Sequence, residues 1–165
     1  MHEVALHLQK AAVAKRSNAD EFDQFGRSAF NRYYYSLFLE VRSLIREFEP
    51  DWAGAHSQLP QELTGSIKRD FKSKRKSFVS RKQNDSLLIL DRGVQGLHAL
   101  ANLLISANTV RVMADYYPEV RISDLGSDRF SLASVQVTEA HNWLGDARHQ
   151  LDWVRRAWRL TRGIA

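Results

Sequence analysis

The chain predicts an all-α fold, an up-down bundle of four to five helices in a single domain over residues 1–165. Three observations carry that expectation. Apolar residues recur at steps of three and four over four long stretches, the signature of helices with one buried face. Only 3 prolines and 8 glycines interrupt the chain. Strand-like alternation is almost absent. Helices that each bury one stripe pack most simply against one another. At this length about two thirds of the unfolded surface can be buried, and 44% apolar with 26% charged residues is ordinary globular composition.

Met1 to about Arg16 reads as the first helix, with Val4, Leu8, Ala11 and Ala12 as a narrow stripe. Ser17-Asn18 marks its exit and Asp20 the next N-cap, with Asp23 adding negative charge to the first turn. The second helix, about Glu21 to Phe48, carries Phe30, Tyr34, Leu37, Val41, Leu44 and Phe48 on one stripe, widened by Phe25, Ala29 and Tyr33. Its other face holds Ser28, Arg32, Tyr35, Leu39, Arg42 and Arg46, suited to water or to a second subunit. Pro50 ends it. After the loop Asp51 to Ser57 comes a short helix, about Gln58 to Phe71, with Pro60 in its first turn. The segment from there to Asn84 shows no apolar period and is expected to be mobile.

The organising stretch is Ser86 to Tyr117, capped by Asp85 or Ser86. Leu87, Leu90, Val94, Leu97, Ala101 and Leu104 line one face, and the same seam continued reaches Asn108, Arg111 and Asp115. Three polar residues therefore stand where the pattern asks for core. A guanidinium there needs a partner or a task, because burying it alone costs several kcal/mol; the bland alternative is a frayed helix end pointing into water. Tyr117-Pro118 leads into an irregular connector, Glu119 to Phe130. The last helix, about Ser131 to Leu160, turns Ala140, Trp143, Ala147, Leu151, Val154 and Trp158 inward.

Net charge is +5 with pI near 9.7. Lys68, Arg69, Lys72, Lys74, Arg75, Lys76, Arg81 and Lys82 form one cluster, opposed only by Asp70, and Arg148, Arg155, Arg156, Arg159 and Arg162 form another on the last helix. Such clusters attract polyanions by counterion release, so the first is the candidate nucleic-acid-binding segment; a solvated surface is the plain alternative. The chain has no cysteine, which excludes a disulfide scaffold and a thiolate metal site and fits a reducing compartment. No apolar run spans a bilayer and the opening MHEVALHLQK lacks a signal-peptide core, so a cytoplasmic protein without a membrane segment is expected.

HExxH, the P-loop, strand-linked GxGxxG and GxSxG are all missing. The histidines show no metal-ligand spacing; no metal and no cofactor are expected, and His141 and His149 read as surface. Three polar groups from different elements remain: Arg32 beside Tyr34 and Tyr35, His56-Ser57 in the loop, and Arg111 to Tyr116 at the end of the organising helix. Ser28-Ala-Phe-Asn-Arg-Tyr-Tyr-Tyr-Ser-Leu-Phe38 resembles the SRAYYAAFH helix of small bacterial HEPN-domain proteins. His56-Ser57 resembles their histidine-led loop, and Arg111 to Tyr116 resembles their R-x-x-A-D-Y signature, in the same order over about residues 1 to 155.

The resemblance implies a helical bundle that pairs as a homodimer and serves bacterial conflict systems: toxin–antitoxin pairs, abortive infection and other phage defence. Many HEPN members look like metal-independent endoribonucleases with an arginine followed four to six residues later by histidine. Arginine stabilises charge on the phosphorane and neutral histidine takes the 2′-hydroxyl proton. Here the matching position is Tyr116. A tyrosine of ordinary pKa is only about 0.1% ionised at pH 7, roughly 4 kcal/mol worse as a base than neutral histidine. Arg92 and His98 fit the letter spacing, but six residues place them about 120° apart on a helix. The expected site therefore comprises Arg111, Tyr116, His56, Arg32 and Asp115, with His56 as substitute base and Asp115 as partner of Arg111 or Arg32. Two functions follow from it: an RNA-directed effector that cleaves or grips RNA, or a non-catalytic HEPN module. The second would bind a partner protein from the same operon, such as a nucleotidyltransferase-like antitoxin or a larger defence subunit, or sense a nucleotide.

Overall fold

The computed structural model describes residues 1–163 and is mostly helical, with one small sheet. In chain order it contains α1 (His2–Ala14), α2 (Ala19–Phe48), a 3-10 turn (His56–Gln58), α3 (Leu59–Glu62), a π-helical turn (Leu63–Ile67) and α4 (Lys68–Ser80). There follow α5 (Asn84–Tyr116), the strands β1 (Ile122–Asp124), β2 (Phe130–Leu132) and β3 (Val135–Gln136), and α6 (Val137–Arg162). The chain divides into two compact units of discontinuous segments, Met1–Leu39 with Leu104–Gly145, and Glu40–Leu103 with the chain from Asp146 onward.

In the first unit Asn18, not Asp20, caps α2. Its side-chain oxygen accepts the backbone N–H groups of Asp20 and Glu21, each at 3.2 Å. The expected α2 stripe is buried at Ala29, Phe30, Tyr33, Tyr34 and Leu37. The connector expected to be irregular instead forms an antiparallel sheet in the order β1-β2-β3, with Ile122 opposite Leu132 and Ser131 opposite Gln136. For that reason α6 starts at Val137 and not near Ser131. The strands are too short for a visible alternation, and Phe130, Ser131 and Leu132 are all buried, so no polar face marks the middle one. Phe130 meets the edges of Phe22 and Phe30 at ring separations of 5.6 and 6.0 Å. Gly126, with φ of 72°, turns the chain between β1 and β2, and Arg16 holds that turn through the carbonyls of Ser127 and Arg129 and the carboxylate of Asp124.

Arg27 joins these pieces. Its Nε donates to Asp23 Oδ2 at 2.9 Å, its Nη1 to the carbonyls of Met113 and Ala114 at 3.1 and 2.8 Å, and its Nη2 to the carbonyl of Tyr117 at 2.7 Å and to that of Val120. The other oxygen of Asp23 accepts the backbone N–H of Ile122 at 2.8 Å. Asp23, expected only to charge the first turn of α2, is thus a buried partner. The α5 seam also drifts from its expected course. Beyond Leu104 it runs through Ala107, Val110 and Ala114, all buried, while Asn108, Arg111 and Asp115 fall one residue away on its border. The small side chains, less conspicuous than the leucines before them, take the packed positions.

In the second unit the segment that seemed to lack an apolar period is helical. Phe71 and Phe78, two turns apart, are buried and suffice to dock α4, which leads directly from buried Leu59, Leu63 and Ile67. The end of α4 closes as a Schellman motif: the N–H of Gln83 donates to the carbonyl of Phe78 and that of Lys82 to Val79, both at 3.1 Å, with Lys82 left-handed at φ 57°. Helix α5 begins at Asn84, slightly before the expected cap. A Cβ at Gly93 would overlap the methyl of Ala157, so glycine permits α5 and α6 to approach closely there. Phe48 stacks on Trp158 at 4.2 Å. Among the described residues no helix is long and apolar enough to cross a membrane.

Two substitutions test this account in urea unfolding. Arg27→Met leaves Asp23 buried without its cation and should lower stability by about 3–5 kcal/mol. Lys82→Gly relieves the left-handed backbone and should raise it by about 1 kcal/mol, seen as a higher midpoint at constant slope.

Candidate functional site

The last turn of α5 and one face of α2 build the site in the first unit. Positions 27, 31 and 35 of α2 follow one another by single turns, with 28 and 32 alongside, and face the α5 residues 111, 114 and 115. Arg111 Nε lies 2.8 Å from Asp115 Oδ2, with side-chain exposures of 21% and 27%. Asn31 Nδ2 donates to Asp115 Oδ1 at 2.6 Å, whereas Arg111 Nε meets Oδ2 as an ion pair and, though buried, completes no hydrogen bond among the described residues. The Arg111 guanidinium also bonds the Tyr35 hydroxyl and lies 5.9 Å from the Tyr35 ring and 5.6 Å from that of Tyr116. Arg32 approaches Tyr35 at 6.0 Å. Partial burial works against the charge on Arg111, but Asp115, Tyr35 and Tyr116 outweigh it and hold the guanidinium above its ordinary pKa. A hollow of about 170 Å³ beside this cluster is lined by Arg27, Ser28, Asn31, Arg32, Ala114 and Asp115.

The expected residues Arg111, Asp115, Tyr116 and Arg32 therefore come together, and Asp115 pairs with Arg111, not with Arg32. The Arg111 side chain is neither splayed into water nor part of the core. It is a fixed cation with an aromatic ring near it on each of two helices. Tyr116 is 66% exposed, and Arg32 is exposed with no ion-pair partner among the described residues. A fixed cation beside an open phenol ring can hold a phosphate oxygen and stack an unpaired base. His56 belongs to the second unit, in the turn His56–Gln58.

The basic cluster also lies in the second unit, and α4 sorts its charges. Arg75 is spent on Asp91, at 2.7 and 3.2 Å, Lys74 lies 5.9 Å from the Phe78 ring, and Lys68 is half-buried. Arg69, Lys72 and Lys76 are exposed at steps of three and four, one stripe rising about 4.5 and 6 Å between successive cations. Arg81 and Lys82 stand at its end. On α6, Arg148 faces Glu40, Arg155 takes Glu47 with two bonds of 2.9 Å, and Arg162 faces Asp70. Arg156 instead rests on Trp153 at 5.1 Å.

Sequence reasoning missed Arg27 and Asn31; the available signal for Arg27 was the opposite charge of Asp23 four residues earlier. It also read His141 as surface. His141 is half-buried, with Nδ1 3.2 Å from the Tyr33 hydroxyl and its ring 4.8 Å from that of His2. Tyr33 donates to Gln9 Oε1 at 2.6 Å. These residues come from α1, α2 and α6, and no local pattern unites them. Among the described residues no group of three or more histidine, aspartate or glutamate side chains is placed to hold a metal ion. The chain matches no protein-family model, no curated protein and no solved structure.

Burial pushes the phenols of Tyr33 and Tyr34 up to about 12; Glu3 adds to the first shift, while Arg111 partly opposes the second. Their native pKa values exceed the unfolded value near 10. The neutral phenols therefore contribute fully below pH 10, and that contribution disappears as pH rises toward 12. Unfolding free energy should fall steeply over this window, and Tyr33→Phe or Tyr34→Phe should each flatten the decline in urea titrations at pH 9 to 12.

Proposed function

We propose that this protein is a HEPN-like component of a bacterial conflict, phage-defence or toxin–antitoxin system, and that it binds RNA through the polar cluster around Arg111. The observation that carries the reading is the Arg111 cation, fixed by Asp115, beside the exposed ring of Tyr116. Unpaired RNA offers what such a surface recognises: phosphates for the guanidinium and flat bases for the tyrosine. The stripe Arg69, Lys72 and Lys76 supports the same reading through its exposed charge. The motif resemblance supplies the family and, with it, the pairing of two copies.

Binding is favoured over cleavage. Tyr116 stands where histidine would act as base, and Asp115 is held by Asn31 and by its ion pair with Arg111. The missing histidine favours, as second reading, a non-catalytic module that docks a nucleotidyltransferase-like antitoxin or a larger defence subunit from its operon.

Fluorescence anisotropy with a single-stranded RNA oligonucleotide in EDTA tests the proposal. The intact chain should bind without cutting, and Tyr116→Ala should weaken binding about tenfold through lost stacking. Replacing Lys72 and Lys76 by Gln should reduce the dependence of log K on log salt by about 0.7 per charge removed. RNA cleavage that disappears in Arg111→Ala would establish catalysis instead. No binding even at low salt would discard the RNA reading and leave the protein-docking module.

A further inference from the structure

A second hollow lies in the other unit, remote in kind from the aromatic cluster. It has a volume of about 380 Å³ and is lined by Asp70, Ser73, Lys74 and Ser77 of α4 and by Thr161 and Arg162 at the end of α6. Ser73 and Ser77 are one helical turn apart on α4 and both border the hollow. Among the described residues neither hydroxyl has a hydrogen-bond partner. Thr161 differs, since its hydroxyl donates to the Trp158 carbonyl at 2.6 Å.

Two cations border the same space. The Arg162 guanidinium lies 4.3 Å from the Trp158 ring, a contact that orients its plane. Its approach to Asp70 is 3.7 Å, too long for a hydrogen bond, so that carboxylate does not consume its donors. The Lys74 ammonium rests 5.9 Å from the Phe78 ring and has no carboxylate partner among the described residues. Two uncommitted hydroxyls, an ammonium and a planar guanidinium match an oxyanion with three or four acceptor oxygens and two negative charges.

We propose that this hollow binds a phosphate monoester, carried either by the 5′ end of an RNA strand or by a free nucleotide. Lys74 and Arg162 balance the dianion, and Ser73 and Ser77 donate to its oxygens. Asp70 acts as an internal competitor: its carboxylate faces the same guanidinium and repels the incoming anion. That feature gives the site a two-way signature. Removing the hydroxyls weakens binding, whereas neutralising the carboxylate strengthens it. The RNA-borne form rests on the RNA reading above; the nucleotide-borne form does not.

The experiment uses the full chain, two RNA oligonucleotides of one sequence that differ only in a 5′-phosphate or 5′-hydroxyl, and adenosine 5′-monophosphate. The 5′-phosphate should tighten binding about tenfold, the effect of one additional charge-assisted contact. Ser73→Ala with Ser77→Ala should abolish that increment while leaving affinity for the 5′-hydroxyl strand unchanged. Both replacements suit a helix, and equal thermal melts would confirm that α4 is intact. Asp70→Asn should enlarge the increment. Binding of the mononucleotide with the same response to these variants assigns the site to a free nucleotide and holds even if neither oligonucleotide binds. Equal affinity for the two RNA ends together with no mononucleotide binding overturns the proposal, as does an Asp70→Asn variant that binds phosphate no better than the parent.

Discussion

The first unit depends on one guanidinium. A helix of 33 residues such as α5 leaves its last carbonyls without intrahelical donors. Where water is excluded, each must find a partner or cost about 1–3 kcal/mol. Arg27 adds donors at this end from another helix, with a planar fork that reaches the carbonyls of Met113 and Ala114 in α5 and of Tyr117 and Val120 just beyond it; those of Met113 and Tyr117 also accept the backbone N–H groups of Tyr117 and Val120. Asp23 neutralises the fork and, through the N–H of Ile122, fixes the start of β1. Arg111, Asp115 and Tyr116 lie in or beside the turn that Arg27 closes. Their geometry is inherited from this ion pair.

The fate of the cations divides the protein's surface into neutralised and available charge. A net charge of +5 says little about where a polyanion would bind. Helix formation between Lys68 and Ser80 turns a dense basic run into a face, and the carboxylates of Asp91, Glu40 and Glu47 then cancel particular members of both clusters. What is left on α4 is an exposed line of Arg69, Lys72 and Lys76, with Lys74 beside Phe78 also free of a carboxylate among the described residues. Exposed pairs contribute little to stability. Their larger consequence is to decide which charges remain for a ligand.

Aromatic residues show a similar partition. Tyr33 and Tyr34 are consumed by the core, where burial pushes their phenols up to about 12. Tyr35, one residue on, stands half-exposed beside Arg111 and Arg32, and Tyr116 lies open. Three consecutive tyrosines thus serve two environments, because successive helical positions turn by about 100°.

The sequence by itself determined the long helices and the buried stripes of α2 and α6, and it narrowed the partner of Asp115 to Arg111 or Arg32, a choice the structure makes for Arg111. The helices and stripes follow from regular spacing along one helix, where neighbours three and four residues apart share a face whatever the surroundings. The sequence did not disclose the sheet of very short strands, the helical state of the basic segment, the drift of the α5 seam toward its alanines, or the Arg27 clamp. These were decided by tertiary structure. Short strands are defined by hydrogen bonds to distant residues, α4 is docked by only two phenylalanines, and Arg27 is placed by carbonyls more than eighty positions along the chain. Periodicity records what an element buries, and it is silent about which distant polar groups that burial leaves to be satisfied.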